Sequence, residues 1–233
     1  MATDLRAILA QVIPVLDDYV ATKTYDQFRA RLWGAMVRLF NGGRDANFIG
    51  SFSRSIDQQL TLAWNEGADD MGVAPDEMSE EDRQILEGII NNENDFINGI
   101  GDEIANDAAT MDREKFDSKY GARVDLWANR WNETVNRAHI VFGGKQKLEW
   151  QLGATENHCG FCEALNGIVA YATEWDQTRF QPQAPPNPLL TGEYNGKPGC
   201  SGWHCDCGLT PTDKRRTARA LDKLTQIATG AHL

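Results

Sequence analysis

The stretch that decides the fold is Cys159-Gly-Phe-Cys162, which is followed after a proline-rich loop by Cys200-Ser-Gly-Trp-His-Cys205-Asp-Cys207. These two segments contain all five cysteines of the 233-residue chain. Buried free cysteines normally scatter among core elements, whereas a tetrahedral thiolate site needs two close pairs that a loop brings together. The pattern therefore predicts one structural metal ion, and zinc is the metal that such sites most often hold.

The segment offers more candidate ligands than the four that structural zinc needs: Cys159, Cys162, Cys200, Cys205, Cys207, His158 and His204. Cys159 and Cys162 have the two-residue spacing that lets both sulfurs face one ion. Cys205 and Cys207 would lie on the same face of a strand, and Cys200 with either of them is the competing second pair. The histidines rank behind the cysteines, because the one next to Cys205 would point to the opposite face. Which four ligate stays open.

The composition excludes several classes of protein. The net charge of −11 argues against a general nucleic-acid binder. No apolar run approaches the roughly 20 residues that span a bilayer, and the N-terminus lacks the pattern of a secretory signal. Reduced thiols are therefore expected. Residues 66–119 hold 17 acidic and 4 basic side chains, whereas Lys214, Arg215, Arg216, Arg219 and Lys223 make the C-terminal tail basic.

Helical periodicity extends over the first 145 residues. Thr24-x-x-Gln27 and Ser79-x-x-Asp82 resemble helix N-terminal caps, and Gly99 and Gly101 argue against a continuous fourth helix. The apolar stripes predict helices over about residues 4–20, 24–40, 45–70, 79–100 and 113–142.

Beyond Lys145 the pattern changes to short strands, at about 148–152, 168–171 and 206–210, and a loop over 181–199. A final helix is expected from Thr212 to about Ala228. The predicted fold is mainly α, with a multi-helix N-terminal body (residues 1–145) and a small α+β cysteine module held together by zinc (146–212). A basic C-terminal helix or tail (213–233) follows.

Signals of catalysis are few. The chain has no phosphate-binding glycine-rich loop, no Gly-x-Ser-x-Gly turn and no His-Glu-x-x-His motif. The turn around Cys159 and Cys162 looks like that of thioredoxin-type enzymes, but such enzymes require a βαβ context and no additional cysteines. We therefore expect a protein that is not an enzyme, with no small-molecule substrate, and keep a thiol–disulfide oxidoreductase that uses these two cysteines as an alternative.

The stretch from Leu148 to Val169 resembles the C-terminal module of tailed-phage minor head proteins, the Mu F-like head-morphogenesis family. Its members carry Cys-x-x-Cys followed by Leu-x-Gly, a proline-containing loop and a terminal Cys-x-Cys, here Cys205-Asp-Cys207. Many relatives have a histidine where this chain has Gly202, so a histidine ligand cannot be carried over. The resemblance covers about residues 148–210.

The resemblance implies a structural component of the virion, inside the head or at the portal vertex, that is present in the host cytoplasm during assembly. It implies the portal or the major capsid protein as partners, and a role in head morphogenesis, DNA packaging or ejection. We expect protein contacts from the acidic stretch and, if DNA is touched, contacts from the basic tail. No membrane partner is expected. A free-standing zinc-binding interaction or nucleic-acid module is the first alternative.

Overall fold

The computed structural model describes residues 25–42, 48–97, 99–154, 158–183, 193–194, 196–199 and 205–229. Helices dominate these ranges, and the elements in chain order are α1 (Tyr25–Phe40), α2 (Phe48–Asp70), α3 (Glu80–Ile97), α4 (Ile100–Ala108), α5 (Arg113–Gly143), β1 (Lys147–Gln151), α6 (Gly160–Leu165), β2 (Val169–Tyr171), α7 (Ala172–Thr178), β3 (Gly208–Pro211) and α8 (Ala220–Thr229). The predicted fold class, mainly helical with a small α+β part that carries the cysteines, is confirmed. The helix predicted over residues 4–20 lies outside the described residues.

The helix ends follow from local chemistry. Before α3, the Asp82 carboxylate accepts from the Ser79 amide at 2.8 Å, and the Asp82 amide donates to the Ser79 hydroxyl at 3.2 Å, which is the predicted capping box. Helix α3 ends at Ile97 and a separate helix α4 begins at Ile100, which confirms that the helical pattern is not one continuous helix. Helix α5 ends at Gly143, and Gly144 has a positive φ of 50° that favours glycine.

The predicted apolar stripes form the core of the helical body. Helices α1, α2 and α5 pack together, and Phe52 meets Trp127 edge to face with ring centroids 5.1 Å apart. The fully buried side chains of these three helices include Phe28, Leu32, Met36, Phe52, Ile56, Leu60, Trp64, Phe116, Tyr120 and Val124. None of the helices in the described ranges is both long and apolar enough to cross a bilayer.

Helices α3 and α5 are joined by a charged group. The Arg130 guanidinium lies 2.8 Å from the buried Glu93 carboxylate and also contacts Glu133. Burial raises the pKa of Glu93, and it raises the pKa of Glu133 to about 7, against the opposing effect of Arg130. One cation therefore serves two carboxylates, and partial protonation of the pair relieves the excess negative charge.

The three strands form an antiparallel sheet in the order β2-β1-β3. One face packs on Trp175 of α7, whose indole N–H donates to the Leu148 carbonyl at 3.2 Å and whose ring centroid lies 5.8 Å from that of Trp150. Met71 and Ile140, at the ends of two body helices, belong to the same hydrophobic cluster as the sheet. The division at residue 145 stays a prediction, and helix α5 contributes to the cores on both sides of it.

The predicted start of the last helix at Thr212 is wrong, because α8 begins at Ala220. The intervening chain pairs with the sheet: the Thr212 amide donates to the Lys147 carbonyl at 3.0 Å, and the Thr217 amide donates to the Val169 carbonyl at 2.9 Å. Arg219 then adopts a positive φ of 53°, which is incompatible with a right-handed helix. Pairing with distant strands therefore outweighs the helical periodicity of this segment.

We predict that Gly67→Ala destabilises the chain by about 2 kcal/mol, the usual cost of overpacking. A Cβ at Gly67 would lie 2.6 Å from Ala138 Cβ and 2.7 Å from the Val135 carbonyl oxygen, so α2 and α5 would have to separate. Gly88→Ala is the matched control, since a Cβ there meets nothing within 4 Å in an exposed part of α3. The control should stabilise by up to about 1 kcal/mol. Chemical denaturation measures both, and a Gly67 variant as stable as the wild type contradicts the close contact.

Candidate metal centre

Three buried thiols from two distant segments meet in the C-terminal part of the chain. The sulfur atoms of Cys162, Cys205 and Cys207 all lie within 4.8 Å of one another, and those of Cys162 and Cys205 are 4.0 Å apart. Zinc–sulfur bonds of about 2.3 Å in a tetrahedron place the sulfurs about 3.8 Å apart. The three thiols therefore match three corners of a tetrahedral site after a small contraction.

Cys159 lies beside this group and also caps helix α6. Its sulfur accepts from the Cys162 amide at 3.3 Å, so the turn directs a backbone N–H at a thiolate, as the Cys-x-x-Cys spacing predicts. The Cys159 side chain is half-buried against the same hydrophobic cluster as Cys162, Cys205 and Cys207. Among the described residues it is the thiol that remains to complete the site.

The other predicted ligands stand as follows. Cys200 and His204 lie outside the described residues. His158 is described and half-buried, immediately before the capping cysteine of α6, and it is not in the three-thiol group. Cys205 and Cys207 are both buried while Asp206 is exposed, which is the alternation predicted for a strand, but strand β3 begins only at Gly208, after the pair.

The electrostatics of the cluster favour one thiolate. The Cys162 and Cys205 thiols donate to the Cys207 sulfur, as does the backbone N–H of Gly153, and together they lower the pKa of Cys207 to about 4 against the effect of burial. A thiolate is the form of cysteine that binds metal. These hydrogen bonds favour the thiolate form of Cys207, and binding of a cation would favour loss of the protons of the other two thiols.

Two glycines allow the backbone segments around the thiols to approach closely. A Cβ at Gly153 would lie 2.1 Å from Asp206 Cβ, and a Cβ at Gly160 would lie 2.1 Å from the Tyr194 carbonyl oxygen. Any side chain at either position would force the segments apart. Gly160 thus leaves room for the backbone at Tyr194. Gly153 leaves room for Asp206, between Cys205 and Cys207.

A backbone bridge between Tyr194 and Lys197 lies on the surface of α6. Tyr194 and Lys197 exchange backbone hydrogen bonds of 3.0 and 3.1 Å. The Tyr194 ring stacks on Phe161 of α6 with centroids 4.6 Å apart, and Lys197 Nζ lies 2.5 Å from Glu163 of the same helix. The Tyr194–Lys197 pair is therefore held on the surface of α6, three residues before Cys200 in the sequence.

Buried amides connect the cluster to helix α5, and sequence reasoning missed them. The Asn136 side chain accepts from the Leu209 amide at 2.8 Å and donates to the Gln183 side chain at 2.8 Å, and Gln183 donates to the Cys207 carbonyl at 2.6 Å. His139, buried on the same helix, contacts the Leu209 carbonyl at 2.8 Å and Asp70 at 2.9 Å. The signal for these contacts in the sequence was the presence of polar side chains, such as Asn136 and His139, at positions of α5 that are buried.

No protein-family model, curated protein or solved structure matches this chain. The assignment of the site therefore rests on the geometry and chemistry described above.

We predict that Gly153→Ala weakens the binding of a thiophilic metal by about tenfold or more, the usual effect of disturbing groups that position ligands. The added methyl would collide with Asp206, between the two cysteines of the second pair. Gly208→Ala is the control, because its Cβ would meet only the Asn136 oxygen at 3.8 Å. Competition of a chromogenic chelator for Co²⁺ or Zn²⁺ measures both affinities. Equal affinities for the two variants would contradict this account of the site.

Proposed function

We propose that this chain is a structural minor head protein of a tailed bacteriophage, acting in head morphogenesis, DNA packaging or ejection, and that one structural zinc ion holds its C-terminal module together. The observation that carries the proposal is the convergence of Cys162 with Cys205 and Cys207. These residues belong to the two motifs on which the family resemblance rests, and they lie far apart in sequence.

The donor set supports zinc. Soft thiolate ligands select zinc or iron–sulfur chemistry over magnesium or calcium, and tetrahedral sulfur sites are typical of structural zinc. The three sulfurs are buried, and the nearby Cys159 offers a fourth. A site closed by four thiolates has no position for a reactive water molecule, so its role is to hold structure.

The contacts of Cys162 favour a metal site over a dithiol enzyme. In a redox turn the two cysteines of Cys-x-x-Cys react with each other, whereas Cys162 lies 4.0 Å from Cys205 of a different segment. The adjacent sheet is antiparallel, unlike the βαβ context of thioredoxin-type enzymes. Both observations support a non-catalytic role for the cysteines.

The acidic helix α3 supports protein partners, which we propose are the portal or the major capsid protein. Phe96 is 63% exposed near the C-terminal end of this helix, next to the exposed Asp95, and Glu81 and Glu87 are exposed elsewhere on it. An acidic surface repels packaged DNA, whereas an exposed aromatic ring is suited to a protein contact.

We predict that the purified protein contains one zinc per chain and that Cys162→Ser, Cys205→Ser and Cys207→Ser each abolish it. Of Cys159→Ser and Cys200→Ser, the variant that also loses zinc identifies the fourth ligand. Elemental analysis measures the metal content. Because structural zinc supplies on the order of 10 kcal/mol, loss of the ion should make residues 148–210 sensitive to protease while circular dichroism retains most helicity.

The redox alternative has a separate readout in the same preparations. A metal-free wild-type protein that reduces insulin disulfides would contradict the zinc site and support the oxidoreductase. Retention of zinc by the Cys207 variant would show that the cluster is not the site.

The virion role predicts that the chain is found in the heads of the phage that encodes it. Mass spectrometry of purified mature and immature particles should detect the chain, and affinity purification of the tagged protein should recover portal or capsid protein. The Cys207→Ser variant should be incorporated less efficiently than the wild type. A zinc-containing protein that is absent from all particles would instead support the free-standing interaction module.

A further inference from the structure

An open basic groove of about 280 Å³ lies between α1 and α2, on a chain whose net charge is −11. Three arginines line it, together with two serines and a glycine: Arg31, Arg38, Arg54, Ser51, Ser55 and Gly34. From residue 25 to residue 70 every basic side chain is an arginine. The groove is far in sequence from the cysteine module and uses none of its residues.

The same local arrangement occurs on both walls of the groove. Arg38 follows Gly34 by four residues on α1, and Arg54 follows Gly50 by four residues on α2. In each case the guanidinium lies over its glycine, with an Nη1 atom 3.6 Å from where a Cβ would be. Because helical side chains lean toward the N-terminus, a glycine at i−4 leaves the guanidinium uncovered by a neighbouring side chain.

Two of the three arginines of the groove, Arg38 and Arg54, are not paired with carboxylates in the part of the chain that the structure describes. Both side chains are exposed. Asp57, one turn beyond Arg54, accepts instead from Asn94 of α3 at 3.2 Å. Acidic residues on other helices are screened beyond about 8–10 Å at ordinary ionic strength, so the groove can attract an anion despite the net charge.

The C-terminal tail, which the sequence suggested for DNA contacts, differs in this respect. Lys214 lies 2.7 Å from Glu149, Arg216 pairs with Glu174, and Arg219 lies 3.3 Å from Asp222. Much of the positive charge of the tail is therefore balanced within the molecule, whereas the guanidinium groups of Arg38 and Arg54 are exposed.

From these contacts we infer that the α1–α2 groove binds the sugar–phosphate backbone of a nucleic acid. Guanidinium groups match phosphate with paired hydrogen bonds and stay charged at every physiological pH. Arg31 and Arg38 are seven residues apart, on one face of α1 and about 10 Å apart along its axis, a distance longer than one phosphate group. Arg54 reaches the groove from α2, so the three cations follow a track that suits successive phosphates. This inference does not depend on the proposed virion role.

The test is fluorescence anisotropy of the full-length chain with labelled 20-nucleotide single-stranded and duplex DNA at several salt concentrations. Arg38→Gln with Arg54→Gln is the test variant. Arg215→Gln with Lys223→Gln, two exposed cations of the tail, is the control with the same change in net charge. We expect the groove variant to lose about tenfold or more in affinity at low salt, and the control to stay within about twofold of the wild type.

The salt dependence gives a second readout. Each lost phosphate contact lowers the magnitude of the slope of log K against log salt by about 0.7 for single strands and about 0.9 for duplex. We expect the groove variant to lose up to two contacts. Arg38→Lys with Arg54→Lys keeps the charge without the planar fork and should bind with intermediate affinity.

Three results would overturn the inference. The first is a wild type that does not bind DNA, and the second is a tail control that weakens binding as much as the groove variant does. The third is displacement of DNA by inorganic phosphate or by polyglutamate as effectively as by unlabelled DNA. The last result would assign the groove to single anions or to an acidic protein segment. Thermal melts monitored by circular dichroism should coincide for all variants, because the substituted side chains are exposed.

Discussion

Three sulfur atoms held within 4.8 Å of one another in a buried site impose the main constraint on the C-terminal part of this protein. Without a cation, only one of them can carry charge at low cost, because two adjacent buried thiolates would repel each other in a medium that solvates neither. The hydrogen bonds from Cys162 and Cys205 to Cys207 favour the thiolate at Cys207. The grouping of the three sulfurs could hold a cation, which would stabilise further thiolates.

Hydrogen bonds from buried side chains connect the cysteine cluster to helix α5. Asn136 and Gln183 hold the backbone at Cys207 and Leu209, and His139 holds the same strand through the Leu209 carbonyl. Buried polar groups of this kind are stable only when every partner is in place. Strand β3 therefore has an anchor on helix α5 that does not depend on metal. Metal binding should matter most for the two cysteine segments that meet at the cluster.

The sequence predicted well the features that depend on nearby residues. Helices α1, α2, α3 and α5 follow from apolar periodicity, and their ends follow from caps such as Ser79 and from the glycines at 143–144. It failed for the segment after Thr212, where pairing with β1 and β2 replaces the helix. The contacts of Asn136 with Leu209 and Gln183 join residues 73 and 47 positions apart, and no local pattern encodes them. For the same reason the sequence indicated the cysteine pairs, but it did not indicate that Cys162 would lie with Cys205 and Cys207.

The distribution of charge adds a further constraint on how the molecule can be oriented. The acidic helix α3 and the arginine groove of α1 and α2 belong to one packed helical body, with α3 resting on α2. A uniform charge of −11 would repel nucleic acid from every side, but segregated charge gives the body one surface suited to a basic protein partner and another suited to phosphates. The proposed virion role would use both surfaces, because a protein placed between a shell and packaged DNA meets protein on one side and phosphates on the other. In that proposal α3 faces a protein partner and the α1–α2 groove faces nucleic acid.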